Sequence, residues 1–376
     1  GAYIFEPYGR HCALHIFVDA PRAYEKENAT LYFGAGLHFP GVIRVKSGDR
    51  VFLDNGALVY GSILAHGAED VKIYGCGVLD DGYEGRITPH CYEDYTKGNI
   101  RLYNCKNVTV EGVILRDSAN WCFSMYECED IIVDNVKVVG QWRYNTDGID
   151  LMNSRRVRIE NCFVRSFDDS VCLKATEGFK GDVTDISVKN CTLWCDWGRT
   201  LEIGLETACD EYARICFENC YLVHNSAAAL DVQGGNFARL KDITFKNIAA
   251  EFEYGALPEQ MQTSPAEYDA KGGVMRPALI AVGNPAMIDM DMYKYLFSEE
   301  QLADKRRGVV ESARFENIRV YLDEGVGMPV SYVRSFYDGF EFGDVSVENV
   351  TVNGRRITNK KDLNMTVERV KNFTLK

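Results

Sequence analysis

One motif recurs along this chain and limits its fold more than any other feature. It is a short run of alternating apolar and polar residues that closes on Asn or Gly and is followed by another apolar side chain. The series begins Val108-Thr-Val-Glu-Gly112-Val, Ile131-Ile-Val-Asp-Asn135-Val, Val157-Arg-Ile-Glu-Asn161-Cys and Ile186-Ser-Val-Lys-Asn190-Cys. It continues Ile215-Cys-Phe-Glu-Asn219-Cys, Ile243-Thr-Phe-Lys-Asn247-Ile, Ala313-Arg-Phe-Glu-Asn317-Ile and Val345-Ser-Val-Glu-Asn349-Val. The marker positions lie 23, 26, 29, 29, 28, 70 and 32 residues apart. Alternation has the two-residue period of a strand that faces a core on one side, and no 3.6-residue period recurs within the unit. Helical solenoids are therefore excluded. A leucine-rich repeat would need its own leucine frame, and a propeller blade needs about 40 residues. A coil of three short strands fits the period, with successive coils stacked about 4.8 Å apart. The expected fold class is all-β, a right-handed parallel β-helix.

Stacked coils turn equivalent positions into ladders. The Asn ladder is expected to hold turn backbone by side-chain hydrogen bonds, since Asn tolerates the left-handed region. Cys162, Cys191 and Cys220 follow that Asn in three successive coils and should stack inside as small apolar fillers. Thirteen cysteines is an odd number, so at least one is unpaired within the chain. Residues 1–30 lack the rhythm and read as a leading segment. Residues 31–376 read as a single β-helix domain with an insertion at about 252–311, where the 70-residue gap falls. That insertion contains one coil-like strand, Ala278-Leu-Ile-Ala-Val, and a helix start at Ser298 with Gln301 three residues on, a capping box. Insertions of this size tend to hang over the binding face of a solenoid.

Charge narrows the partners. With 42 Lys and Arg against 55 Asp and Glu the net charge is −13, and the pI is near 5.1. Neither nucleic acid nor a membrane surface is an expected partner, because both select basic faces. No apolar stretch is long enough to span a bilayer. The N-terminus carries no signal-peptide pattern, so the compartment is not legible from that end. A monomer is expected.

Chemistry concentrates in three consecutive coils, Asn145-Thr-Asp147-Gly-Ile-Asp-Leu, Phe167-Asp168-Asp169-Ser-Val-Cys-Leu-Lys and Gly198-Arg199-Thr-Leu-Glu-Ile-Gly204. If Ile149, Val171 and Leu201 stack, then Asp147, Asp169 and Arg199 share one ladder, with Asp168 in the ladder beside it. Like charges on neighbouring rungs push at least one carboxyl's pKa upward. A protonated acid beside an ionised base is what glycoside hydrolysis needs. Acid pairs on solenoids also bind calcium or cap turns, which is the competing expectation. Glu202, Glu206 and Asp231 extend the acidic surface, and Arg199 either contacts substrate or neutralises the aspartates. Trp121 falls one coil before Asp147 in the same ladder and can stack on a sugar face. Trp197, Arg143 and Tyr144 lie close to the motifs and are further candidates for substrate contacts.

The Asn145-Thr-Asp147-Gly run, followed 21 residues later by Asp168-Asp169, resembles the polygalacturonase-type glycoside hydrolases, family 28. The likeness extends over about residues 40–375 and is strongest across 141–207. It implies a pectin-lyase-like solenoid in which Asp168 is the general acid and Asp147 and Asp169 hold and deprotonate the attacking water. Asn145 lines a subsite, the anomeric configuration inverts, and neither metal nor cofactor is used. By the general separation rule, carboxylates one rung apart suggest retention instead. The resemblance also implies a polysaccharide or oligosaccharide substrate and a secreted or periplasmic protein, with the cytoplasm left open. Two departures stand out. Where the family has Gly-His-Gly this chain has Gly198-Arg199-Thr200, and where it has Arg-Ile-Lys this chain has Leu230-Asp231-Val232-Gln233. The residues that hold a substrate carboxylate in polygalacturonases are thus replaced. Pectic galacturonan or a related pectic glycan is the expected substrate. A neutral α-glucan is the alternative, because Leu31-Tyr-Phe-Gly-Ala-Gly-Leu-His is similar to the family 49 dextranases and isopullulanases. A non-catalytic carbohydrate-binding β-helix is the second alternative, and a polysaccharide lyase on the same fold fits the motifs less well.

Overall fold

The marker runs become strands that stack in register. In the computed structural model, which describes residues 1–84, 98–143, 145–253, 260–264, 267–270, 277–291 and 293–376, Val108 pairs with Ile131, then Val157, Ile186, Ile215, Ile243, Ala313 and Val345. All these pairings are parallel, which requires a full turn of chain between one strand and the next. The second sheet is built from shorter strands, among them Lys137–Val139, Phe163–Ser166 and Thr192–Cys195. The third contains Phe123–Tyr126, Ile149–Met152, Val171–Ala175, Arg199–Thr207, Ala228–Gln233 and Ala278–Gly283. Three sheets wound in sequence make the right-handed parallel β-helix. Its core is the column of inward side chains, including the stacked rings of Phe217, Phe245 and Phe315 at centroid distances of 4.6 and 5.0 Å.

The turn after the first sheet is where Asn recurs. Asn135, Asn161, Asn190, Asn219, Asn247, Asn317 and Asn349 all have φ between 53° and 57°, the left-handed region that Asn adopts at least cost after Gly. Their amides bond differently from the expectation. Asn247 Nδ2 donates to Asn219 Oδ1 (3.0 Å), Asn317 to Asn247 (2.8 Å) and Asn349 to Asn317 (2.7 Å), so the side chains bond one another rather than turn backbone. Stacking at the strand spacing puts each amide over the next, while the turn backbone already bonds to the adjacent coil, as where Asn190 N donates to Glu218 O. The cysteine column is buried as expected. Cys162, Cys191 and Cys220 are free thiols, and each Sγ donates to the carbonyl two residues earlier (3.1, 3.2 and 3.4 Å).

Residues 1–24 lie against the outside of the coils. A hairpin pairs Ala2–Phe5 with Leu14–Phe17 and sets His15 and Phe17 on Phe163, with ring centroids 5.1 and 5.0 Å apart. Arg10 pairs with Glu253 and Asp196, while His224 holds Glu6 at 2.7 Å and Glu253 at 2.8 Å. In the insertion, Ala278–Gly283 joins the third sheet beside Ala228–Gln233. Ser298 and Gln301 form the expected capping box on the helix Glu299–Leu302.

Candidate active site

The site sits where three second-sheet strands turn into the third sheet. Ile149 pairs with Val171 and Val171 with Leu201, the predicted register. The ladder continues into the turns. Gly148 N donates to Asp169 O (2.8 Å), Ser170 N to Arg199 O (2.8 Å) and Cys122 N to Asp147 O (2.9 Å). Trp121, Asp147, Asp169 and Arg199 therefore occupy successive rungs, and Asp168 stands next to Asp169. Gly198 closes the turn. A Cβ there would lie 2.4 Å from Asp168 Oδ1 and 2.5 Å from Asp169 Oδ1, so only glycine lets the chain pass this close to the pair.

The three aspartates are almost fully buried, yet their environments differ. Burial, reinforced by the adjacent Asp169, pushes the Asp168 carboxyl well above the ordinary range. Burial also acts on Asp169, but Arg199 and Lys174 outweigh it, and its carboxyl falls below the usual value. Arg199 N donates to Asp169 Oδ1 at 2.8 Å, and its guanidinium approaches the same oxygen at 3.8 Å. Asp147 is raised by burial against the pull of Lys174. Two neighbouring carboxyls thus favour opposite protonation states, the condition for one acid and one base at a single pH.

Lys174 and Asp150 also stand in the aspartate cluster, and the sequence reading passed over both. Lys174 Nζ donates to Asp147 Oδ2 at 2.8 Å and Asp150 Oδ1 at 3.0 Å and lies 3.9 Å from Asp169 Oδ2. Burial opposes its charge, but Asp147 and Asp150 hold its pKa above the ordinary value. The signal was present in the alternation: Val171 and Leu173 point inward, so Cys172 and Lys174 must point out of the coil.

Other candidates divide. Arg199, 40% exposed at its side chain, reaches Asp231 Oδ2 (3.1 Å) and Glu202 Oε1 (3.5 Å), which joins all three to the aspartate cluster. Trp121 is half-buried with Lys174 Nζ 4.3 Å from its ring centroid. Arg143 instead donates to Glu84 O (2.8 Å) and Gly82 O (3.0 Å), tying down the neighbouring turn. Trp197 stacks on Phe167 at 6.2 Å, behind the pair. Asn145 is half-buried, with φ at 59°, two residues ahead of Asp147. Tyr144 lies outside the described residues. Among the described residues, ligand atoms of Asp169, Cys172 and Glu202 come within 4.8 Å of one another. A metal there would need a thiolate from Cys172, which burial disfavours, and would displace the positive charge that Arg199 and Lys174 already supply.

Similarity to known proteins follows the same coils. Probable exopolygalacturonase B of Aspergillus fumigatus is 28% identical over 207 residues, 49% of this chain and 44% of that protein. Exopolygalacturonase B of Aspergillus niger is 25% identical over 211 residues, 48% of this chain and 44% of that protein. The chain thus matches less than half the length of these curated relatives. In fold it is similar to a Yersinia enterocolitica family 28 exopolygalacturonase, with TM-score 0.63, 14% identity, and 91% of this chain and 71% of that one covered. It is also similar to Dex49A from Penicillium minioluteum, with TM-score 0.55, 11% identity, and 89% and 56% covered. No helix of the described residues is long and apolar enough to cross a membrane. The profile of glycosyl hydrolases family 28 matches residues 61–259, more than half of the chain and the whole of the aspartate cluster, and the chain belongs to that family.

Proposed function

We propose that this chain hydrolyses α-glycosidic bonds of a pectic glycan, galacturonan or a relative of it, by single displacement with inversion at the anomeric carbon. The observation that carries the reading is the Asp168–Asp169 pair, adjacent in the chain and driven to opposite protonation states by their surroundings. Asp168 delivers its proton to the glycosidic oxygen as the bond to the anomeric carbon breaks. Asp169, with Asp147 one rung away, orients a water on the opposite face and takes its proton as the new bond forms. Lys174 keeps the two water-holding carboxylates from repelling each other. The exopolygalacturonase relatives support a pectic substrate, whereas Asp231 and Gln233 in place of the family's Arg and Lys point away from a carboxylate grip at that rung.

Substituting Asp168→Asn removes the acid while keeping shape and burial. Hydrolysis should fall by about 10²–10⁴-fold with glycan binding retained. Full activity in this variant would refute the assignment. Proton NMR of the first sugar released by the wild type checks the stereochemistry, because a β-anomer appears first only under inversion of an α-linkage.

A further inference from the structure

Beside the water-holding carboxylates lies an apolar hollow that the reaction above leaves unused. It encloses about 200 Å³ and is lined by Trp121, Tyr126, Met152, Phe179, Leu296 and Phe297, the last two brought in by the insertion. Its position is fixed by register. Trp121 is the rung before Asp147, and Met152 pairs with Lys174, the residue that holds Asp147. A sugar in the hollow is therefore a neighbour of the bond being cut.

The lining selects against charge. Its polar members include the carboxylates of Glu177 and Glu206, and among the described residues it holds no Lys or Arg. A uronate carboxylate placed there would meet two like charges and no cation. Cations around it are already committed: Lys174 to Asp147 and Asp150, Arg199 to Glu202 and Asp231, and Arg306 to Asp304. Thr176, Glu177, Glu206 and Asn236 offer partners to ring hydroxyls, whereas a hydroxyl set against Met152, Leu296 or Phe297 would have none and a methyl group there would gain from burial.

We propose that this hollow is a subsite for a neutral sugar carrying a methyl-terminated substituent. That substituent is the C6 methyl of a 6-deoxyhexose, an O-acetyl group, or the methyl ester of a uronate. The proposal rests on the hydrolytic reading for its place in the reaction, but its recognition chemistry depends only on the lining. Met287, Leu296 and Phe297 all come from the insertion. Selectivity for the substituent is thus shared, the repeat giving one wall through Trp121, Tyr126 and Met152 and the insertion giving the other.

The test is a binding titration by NMR on the Asp168→Asn protein, so that no probe is consumed. One pair is methyl α-L-rhamnoside and methyl α-L-mannoside, which differ only in the oxygen at C6. The other pairs are short pectic oligomers before and after mild saponification, prepared separately from acetylated and from methyl-esterified stocks. At least one methyl-bearing member should bind about 10-fold tighter than its partner, the discrimination a methyl group gives in an apolar pocket. Which pair responds identifies the substituent. Leu296 is 38% exposed, so Leu296→Lys should fold, abolish the preference and tighten the saponified oligomer. A preference below threefold in every pair, tightest binding of the free carboxylate, no binding of any probe, or a preference that survives Leu296→Lys would each overturn the proposal. Hydrolysis by the wild type without such a preference would sink the subsite alone. A preference in a protein that cleaves nothing would leave the subsite standing and sink the hydrolytic reading.

Discussion

At the scale of single residues the site is a problem in placing buried charge. Lys174 is the only ammonium that touches both Asp147 and Asp150 among the described residues, and all three are nearly inaccessible to water. Removing one partner of a buried pair strands the others, a loss of about 3–5 kcal/mol. Lys174→Met should therefore lower stability by that order in urea titrations. The loss should be larger at pH 8 than at pH 5, because burial pushes Asp150 up to about 6 even with Lys174 holding it down, and without Lys174 it keeps a proton to higher pH than in the wild type. Asp81 offers a cleaner titration. It is 1% exposed, and burial pushes its pKa up to about 7. The folded form keeps a proton that the unfolded chain, with an ordinary value of 3.8, has released. That stabilisation is complete below pH 3.8 and is lost as pH rises through 7. Asp81→Asn, neutral throughout, should gain on the wild type by an amount growing to roughly 4 kcal/mol above pH 7. Equal urea midpoints at all pH values would contradict it. The meeting of Asp147 with the Asp168–Asp169 pair was legible because the 22 residues from Asp147 to Asp169 make one coil. Lys174 was not, because an outward lysine on a strand reads as solvated until the cleft around it is known.

The strand and its turn are the next level, and here the asparagines do the selecting. Each sits in a left-handed turn where a Cβ is costly, and the amides of Asn190, Asn219, Asn247 and Asn317 recover part of that cost by bonding to the rungs on either side. Asn219→Ala should lower the urea stability by about 1–2 kcal/mol, and Asn219→Gly by less, since Gly restores the backbone freedom but not the ladder. The reverse order would show that backbone conformation is not what the ladder secures. The turn type was readable from the Asn recurrence; the amide-to-amide bonding was not. It depends on how closely one turn lies over another, a tertiary quantity. The helix at Ser298 was legible for the opposite reason, because a capping box is satisfied within four residues.

At the scale of the molecule the repeat made the fold legible almost throughout, because each coil buries its apolar face only against its neighbours. Two parts stayed dark. The hairpin at Ala2–Phe5 and Leu14–Phe17 has no repeat to betray it, and it finds its place through aromatic contacts with Phe163 and Trp194. The walls that Met287, Leu296 and Phe297 give the cleft depend on where an irregular insertion folds back. Thiol accessibility tests the packing of the whole solenoid. Residue-resolved alkylation of the native protein should label Cys12 and Cys76, which are exposed. The buried thiols of Cys105, Cys122, Cys128, Cys162, Cys172, Cys191, Cys195, Cys209 and Cys220 should react only after denaturation. Fast labelling of the Cys162, Cys191 and Cys220 column in the native state would mean that the coils open far more often than their packing allows.

The register of the aspartate rungs has a consequence for how such proteins diversify. Asp147 and Asp169 are 22 residues apart and Asp169 and Arg199 are 30, yet each pair is one rung apart. The distance between these side chains is set by strand stacking and is indifferent to the length of chain that travels between them. Loops can lengthen, shorten or be exchanged without moving the aspartates by a measurable amount. Selectivity and chemistry are therefore inherited as separate traits in this architecture, and the segments between rungs are where an engineer should cut to redirect it to another glycan.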